Sequence, residues 1–247
     1  MDPASPSPDG AAHNAHFDAE AIDRFREALA EPTDNADEAL AREAVSRAVA
    51  GADAGDLSRA ATHFEESVNL TRDERVLFLG FQFAFRTSRL ELAERFARRR
   101  IDVAANDSAV AARAWSNLGL VLHARGAWDQ SEQAQHRALE IDRRIGNLEG
   151  VARDLGNLAL VPESRGDLDE AERLNLESLE IAERLGASSI IATKLANLGD
   201  IAHAKGRHAE ARERWTRAAA LFRELGKSAW LRDYERKIAS LDAENRS

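Results

Sequence analysis

The sequence predicts an all-α fold built from helix-turn-helix repeats, and two observations lead to this prediction. The first is a period of 40 residues, because an Asn-Leu pair begins at Asn117 and recurs at Asn157 and Asn197. A mid-repeat glycine and a terminal glycine keep the same interval, at Gly126, Gly166 and Gly206 and at Gly146, Gly186 and Gly226. The second is composition, since Ala, Leu, Arg and Glu dominate and only 5 of 247 residues are Pro. Such a period in a helix-forming sequence is typical of a repeat array.

Composition also argues against several classes of protein. The chain has no cysteine, which excludes a disulfide framework. Residues 1–56 carry 13 acidic and 4 basic side chains, so they account for the whole net charge of −9 and the rest of the chain is neutral. An array that is neutral overall supplies no general positive potential, which argues against nucleic-acid binding. Because no leader-peptide pattern and no long apolar run occur, we expect a cytoplasmic protein that does not enter a membrane.

Two segments precede the repeats. Residues 1–16 are rich in Pro, Ser, Gly and Asp and have few apolar side chains, so we expect a disordered acidic tail. Residues 17–36 are predicted to form a short helix and a turn, because an apolar stripe of helical spacing ends at Pro32. The stripe consists of Phe17, Ile22, Phe25 and Leu29.

The array is predicted to occupy residues 37–247, with five repeats and a capping helix. The repeats fall at about 37–71, 72–107, 108–147, 148–187 and 188–227, and the cap at 228–244. The first two copies are degenerate, and the segment 76–85 is apolar almost all round, so it should be buried between its neighbours. The cap should cover the last repeat with one apolar face. That face consists of Trp230, Leu231, Tyr234, Ile238 and Leu241.

Each copy is interpreted as a helix A, a turn and a helix B. In the third copy, helix A is predicted at about 110–124 and helix B at about 129–144. Gly126 and Gly146 follow these two helices, where a residue of positive φ is favoured.

Two further signals concern helix ends in the array. Capping boxes are predicted where helix B begins in three copies, at Ser88, Asp129 and Asp167. Pro162 lies near the end of helix A in the fourth copy. It should kink or stop that helix because proline has no backbone N–H to donate.

These residues resemble the tetratricopeptide-repeat family in its extended form of about 40 residues per repeat, as in kinesin light chains, Pins-type scaffolds and many bacterial signalling regulators. The resemblance spans residues 37–227 and is strongest in the last three copies. The family's Leu-Gly pair matches Leu118-Gly119, Leu158-Ala159 and Leu198-Gly199. Its large residue in helix A matches Trp115, Leu155 and Leu195, and its small residue in helix B matches Ser131, Ala171 and Ala211. Small residues at these places allow close helix packing.

The resemblance implies a right-handed superhelical solenoid whose concave groove is lined by the A helices and binds a peptide. In such proteins the Asn before Leu-Gly often faces the groove and binds the peptide backbone. The matching residues are Asn117, Asn157 and Asn197. The first two copies have Ser46 and Phe78 at this place, so the ladder of asparagines is absent there.

Residues one turn before the asparagines should share their face of helix A. They are Arg113 and Arg153 and, in the last copy, Thr193 or Lys194, of which Lys194 is basic. Together with the asparagines they predict a positive strip suited to an acidic peptide or a C-terminal carboxylate. The alternative interpretation is that these side chains only pair with neighbouring acids.

A second group of candidate residues consists of His123, Glu163 and His203, which hold one equivalent position in three successive copies, with Asp200 one turn before His203. If they converged, they could contact a partner, bind a metal ion or act as an acid and a base. Polar residues at a groove edge are expected in any repeat array, so we predict no metal, no cofactor and no catalytic residue.

The sequence therefore predicts a non-enzymatic interaction scaffold that binds a protein or peptide partner. The alternative function is a peptide-sensing, signalling or transcription-regulatory subunit of bacterial type. A metal-dependent enzyme that uses His123, Glu163 and His203 is the least favoured function. The fold itself does not choose among these, because one fold hosts many functions.

Overall fold

The structure is a computed structural model, and it describes residues 33–244. These residues form helices joined by short turns and contain no strand. The helices are α1 (Ala36–Asp53), α2 (Leu57–Ser67), α3 (Glu74–Arg86), α4 (Leu90–Val103), α5 (Ala109–Ala124), α6 (Trp128–Arg144), α7 (Leu148–Leu158), α8 (Leu160–Ser164), α9 (Leu168–Leu185), α10 (Ser188–Ala204), α11 (His208–Glu224) and α12 (Ser228–Glu244). The predicted all-α fold is confirmed. The predicted tail over residues 1–16 and most of the predicted segment 17–36 lie outside the described residues.

The chain divides into two compact units, the first ending at Ala127 and the second beginning at Trp128. In the first unit, α1 packs on α2, α3 packs on α4, and α4 packs on α5. In the second unit, α7 lies against α6 and α9, and α9, α10, α11 and α12 then pack in chain order. Each helix therefore contacts mainly its neighbours in sequence, as repeat arrays do. None of the helices among the described residues has the length and apolarity needed to cross a membrane.

The turns follow the glycine pattern of the sequence. Gly126 and Gly166 have φ angles of 76° and 81°, in the left-handed region that favours glycine. Ser88, at the equivalent place in the second repeat, has a φ angle of 57°. The prediction that Ser88 caps α4 is wrong, because this backbone conformation ends α3. Arg89 instead precedes α4, and its side chain makes no capping hydrogen bond.

The other two predicted caps have different outcomes. Asp129 lies within the first turn of α6, which begins at Trp128, so its predicted capping role is wrong. Its carboxylate instead forms an ion pair with Arg165, which also binds Glu132 at 2.9 Å. Asp167 is the N-cap of α9, and its carboxylate accepts a hydrogen bond from the Glu170 backbone N–H at 3.1 Å. This cap was predicted correctly.

Replacing Asp167 with alanine is expected to lower the free energy of unfolding by about 1 kcal/mol, because the first turn of α9 then loses its acceptor. Chemical denaturation followed by circular dichroism measures the change. Glu180→Ala is the matched control, since Glu180 is exposed on the same helix, and it should change stability by less than about 0.5 kcal/mol. Equal effects of the two substitutions would contradict the capping role.

Pro162 breaks helix A of the fourth repeat, as predicted. Helix α7 ends at Leu158, Ala159 interrupts it, and α8 continues from Leu160 for 5 residues. The break lies at the place expected for a proline. The carbonyl of Leu158 is four residues before Pro162, and in a regular helix it would accept a hydrogen bond from the N–H that proline lacks. Glu163 is thus carried by a short helix of its own.

The core of the second unit shows how a large and a small residue complement each other. Trp215 of α11 is 3% exposed, and its ring lies against the α-carbon side of Gly199. In the preceding repeat the equivalent pair is Asn175 and Ala159, both fully buried. Where helix A has glycine, helix B has the large tryptophan. Where helix A has alanine, helix B has the smaller asparagine. The first unit contains a similar pair of a large and a small residue, in which the Phe96 ring packs against Gly80.

Two further packing predictions are confirmed. The apolar segment in α3 is largely buried, and Phe83 is fully enclosed. Helix α12 covers the last repeat, with Tyr234 and Leu241 buried to 3% and 2% exposure. Trp230, Leu231 and Ile238 pack against the same cluster.

Candidate functional site

Side chains of helices α7, α8, α10 and α12 form one layer of the second unit, which we call the A layer. Lys194 of α10 reaches the backbone of Gly156 in α7. Asp200 of α10 accepts a hydrogen bond from Lys237 of α12 at 2.8 Å. These contacts place the three helices side by side in the order of the repeats. The predicted site residues of the second unit all lie on these helices or on α8.

The asparagines of the A layer are half-buried. Asn197 donates a long hydrogen bond of 3.4 Å to Asn175 on α9, and Asn175 donates in turn to the Ala171 carbonyl at 2.9 Å. Asn157 is likewise half-buried. The 40-residue interval continues to Lys237, which occupies the asparagine position in α12. Sequence analysis ended the repeats at residue 227 and missed this residue, although the same interval would have found it.

Lys194 lies in the interior of this layer. The side chain is 5% exposed, and its ammonium occupies the space that a β-carbon on Gly156 would need. Burial lowers the pKa of Lys194 to about 8, and the charge of Glu163 opposes that shift. Sequence analysis placed this residue on an open strip, whereas the equivalent positions Asp154 and Tyr234 are also buried.

Asp200 is the centre of a hydrogen-bonded cluster. Its carboxylate accepts from the Trp215 indole N–H at 2.9 Å, from the Tyr234 hydroxyl at 3.3 Å and from Lys237 at 2.8 Å. The Lys237 ammonium also lies 4.6 Å from the Tyr234 ring centre. Burial raises the pKa of the Tyr234 hydroxyl, and the charge of Asp200 raises it further. The cluster therefore fixes Asp200 and Lys237 against the core.

Glu163 and His203 occupy equivalent positions in neighbouring repeats. Burial raises the pKa of the Glu163 carboxyl, and the charge of Asp200 raises it further, while Lys194 and Lys237 lower it. His203 is exposed, and its ring is tilted against those of His208 and Trp215, with ring centres 5.3 and 5.4 Å away. Over residues 33–244, no group of three or more His, Asp or Glu side chains is placed to hold a metal ion.

Arg153 does not offer a free positive charge. Its guanidinium binds Asp142 at 3.0 Å and Asp154 at 3.3 Å, and both carboxylates are fully buried. Asn147 also donates to Asp142 at 2.9 Å. The pairing with neighbouring acids, which sequence analysis kept as an alternative, is found at this position.

The first unit contains the remaining predicted residues, all on α5. The side-chain N–H₂ of Asn117 is buried and has no hydrogen-bond partner among the described residues. Arg113 is exposed, and its charge lowers the pKa of the buried Arg100 in addition to the larger effect of burial. His123 is half-buried. It belongs to a different compact unit from Glu163 and His203.

Comparison with known families bears on the same helices. Residues 110–184 match the family described as tetratricopeptide repeat. These residues are tetratricopeptide repeats. No curated protein matches the chain.

Solved structures show the same fold. The apo form of RapI aligns with a TM-score of 0.63 and 18% identity, over 92% of this chain and 65% of that chain. Aspartyl phosphate phosphatase F from Bacillus subtilis aligns with a TM-score of 0.69 and 12% identity, over 88% and 63%. This chain therefore spans less than two thirds of the length of either protein. The tetratricopeptide-like repeats of a putative kinesin light chain from Podosopora anserina align with a TM-score of 0.54 and 16% identity, over 74% and 95%.

Proposed function

We propose that this chain is a non-enzymatic interaction module that captures a partner polypeptide on the A layer. The observation that carries the proposal is the recurrence of half-buried polar side chains at one position of successive repeats, namely Asn157, Asn197 and Lys237. The side-chain amide of asparagine can accept from a peptide N–H and donate to a peptide C=O. Tetratricopeptide repeats are typical of protein interaction scaffolds, which supports the same function.

Asn117 is proposed to act in the same way in the first unit. Its buried N–H₂ group lacks a hydrogen-bond acceptor within the described residues, and a peptide carbonyl would supply one. Arg113 is exposed beside it and is the best candidate for contact with an acidic or C-terminal group of the partner. Asp200 and His203 are proposed to border the chain bound on the A layer, and His123 is proposed to border a segment bound at Asn117 within the first unit.

Replacing Asn157 and Asn197 together with alanine should weaken peptide binding about tenfold or more, because each amide contributes roughly one net hydrogen bond to the complex. The probe is a display library of random 12-residue peptides selected against the wild-type chain, with dissociation constants measured by fluorescence anisotropy. The control replaces Arg137 and Arg173 with alanine, since both are exposed on B helices. Failure to select any peptide, or equal affinity of both double variants, would overturn the proposal.

A second candidate function is a regulatory subunit that senses a peptide and acts on a signalling protein. The structural likeness to RapI and to aspartyl phosphate phosphatase F favours it. In that case the selected peptides should change the binding of a second protein, which an interaction module alone does not require.

A further inference from the structure

A cavity of about 240 Å³ lies beside the break that Pro162 makes in helix A of the fourth repeat. Part of its lining is apolar, from Leu158, Pro162 and Leu174. The remaining lining residues are polar or charged, and they are Glu132, His136, Arg165, Asp167, Glu170 and Arg173. All of these residues belong to the second unit. Three carboxylates and two guanidinium groups thus line the cavity, so its lining carries one negative charge when His136 is neutral.

The next repeat shows which group fills the equivalent place. Arg214 of α11 lies 40 residues after Leu174 and holds the same position in its repeat. Its guanidinium donates to the Leu198 carbonyl at 3.0 Å, lies 3.5 Å from the Glu172 carboxylate and forms an ion pair with Glu210. The side chain is only 16% exposed. A main-chain carbonyl of helix A and two carboxylates of B helices therefore hold one guanidinium.

The fourth repeat keeps these three acceptors but lacks the arginine. The equivalent acceptors are Leu158, Glu132 and Glu170, each 40 residues before its counterpart, and all three residues line the cavity. Leu174 stands where the arginine would be and has no polar group to offer them. The cavity is therefore the place that a guanidinium occupies in the next repeat.

Pro162 makes the main-chain acceptor more available in the fourth repeat than in the fifth. Leu198 lies within the continuous helix α10, so its carbonyl also has a helical N–H donor four residues later. The Leu158 carbonyl has no such donor, because Pro162 has no N–H. Leu158 is 6% exposed, and a carbonyl near the interior is stabilised by a further donor.

The ion pairs already present do not close the site. Glu132 pairs with Arg165 at 2.9 Å. In the next repeat Glu172 likewise pairs with Lys205 at 2.7 Å, and it still lies 3.5 Å from Arg214. A carboxylate has two oxygens and about four acceptor positions, so one basic partner leaves room for another.

We infer that this cavity binds the guanidinium of an arginine side chain from a partner polypeptide. The Leu158 carbonyl accepts from the guanidinium, Glu132 and Glu170 pair with it, and the apolar part of the lining contacts the methylene stem. The negative charge of the lining matches the positive charge of the ligand. The site uses none of the asparagines of the A layer, so it does not depend on the proposed function.

The test adds a capped arginine, N-acetyl-arginine-methylamide, to the full chain. The ring protons of His136, which lines the cavity, report binding by nuclear magnetic resonance, and the loss of their signal in His136→Gln assigns it. We expect this signal to shift until the site is saturated. N-acetyl-lysine-methylamide should bind about threefold more weakly or worse, because an ammonium does not present a planar fork to the acceptors.

Removal of the two carboxylates tests their role. Glu132→Gln combined with Glu170→Gln should weaken binding of the capped arginine about tenfold, because two charged acceptors are lost. The matched control combines Glu140→Gln with Glu180→Gln, which removes the same charge from the same two helices at exposed positions outside the cavity. This control should leave the affinity unchanged.

A second variant fills the cavity from within the chain. Leu174→Arg should place a guanidinium where Arg214 lies in the next repeat, and the capped arginine should then no longer shift the His136 signal. Circular dichroism confirms that the helices remain folded. If Leu174→Arg does not fold, the paired glutamate variants decide the question.

Four results would overturn the inference. They are the absence of a shift at His136, equal affinity for the capped arginine and the capped lysine, equal affinity of the two paired glutamate variants, and tighter binding of free arginine than of the capped form. The last result would assign the cavity to a free amino acid instead of a polypeptide. None of these results bears on the asparagine variants, so the proposed function stands or fails separately.

Discussion

Lys194→Met is expected to increase the free energy of unfolding at pH 7 by roughly 2–3 kcal/mol. The reason is that the folded chain holds this ammonium in the interior, 5% exposed and without a hydrogen bond within the described residues. Methionine has a similar length and fills the space beside Gly156 without a charge. Urea denaturation of the two proteins, followed by circular dichroism, measures the difference.

The gain in the free energy of unfolding of Lys194→Met should decrease as the pH rises. The pKa of Lys194 is lowered from 10.5 to about 8, so between these values the unfolded chain binds more protons than the folded chain. Wild-type stability therefore rises relative to Lys194→Met across this interval, and the advantage of the variant fades toward pH 10. Groups that do not interact with Lys194 titrate alike in both proteins, so their contributions cancel in the comparison.

A gain in stability of equal size at pH 7 and pH 10 would contradict this account, and so would a loss at pH 7. Lys205→Met is the control. The ammonium of Lys205 binds Asp169 and Glu172, which raise its pKa, so its removal should give no gain in stability.

Gly199→Ala is expected to lower the free energy of unfolding by about 2–3 kcal/mol, despite the better helix propensity of alanine. The new β-carbon would lie 2.4 Å from the Trp215 ring. That ring is buried, and its N–H donates to Asp200 at 2.9 Å, so it cannot move aside without losing this bond. Thermal and urea denaturation measure the loss.

A double-mutant cycle tests the cause. In a Trp215→Leu background, Gly199→Ala should cost almost nothing and could stabilise by up to about 1 kcal/mol, because the clash is gone and helix propensity remains. The chain already contains the smaller combination, since buried Ala159 and Asn175 hold the equivalent positions in the preceding repeat. Gly156→Ala is a second control, because its β-carbon would meet only the flexible end of Lys194. Equal costs of Gly199→Ala in both backgrounds would rule out the ring contact as the cause.

Much of the fold followed from periodicity. The 40-residue interval predicted the helix pairs, and the glycines predicted the turns, because both depend on local backbone preferences. Pro162 was predicted to break helix A, and the break at Ala159 is the direct result of one missing N–H. Ser88 was wrongly predicted to be an N-cap, because the sequence alone does not distinguish a serine that caps a helix from a serine in a left-handed turn.

The candidate site was less predictable, because it depends on which side chains of neighbouring helices meet. The spacing placed Lys194 near the asparagine face, but its burial depends on Gly156, which is 38 residues away in sequence. The sequence alone does not show which acids pair with Arg153, whereas in the fold its guanidinium pairs with the buried Asp142 and Asp154. The roles of Trp215, Tyr234 and Lys237 were missed because they concern contacts between different helices.

The contribution of α12 changes what counts as the smallest useful fragment of this array. A fragment that stopped at Lys227 would retain every repeat predicted from the sequence. It would nevertheless remove Tyr234 and Lys237 from Asp200, leaving only the Trp215 indole as a donor to that carboxylate. Truncation at the last repeat would thus alter the charge balance of the surface as well as uncover the core. Domain dissection, crystallisation and engineering of this protein should keep α12 as an integral part of the A layer.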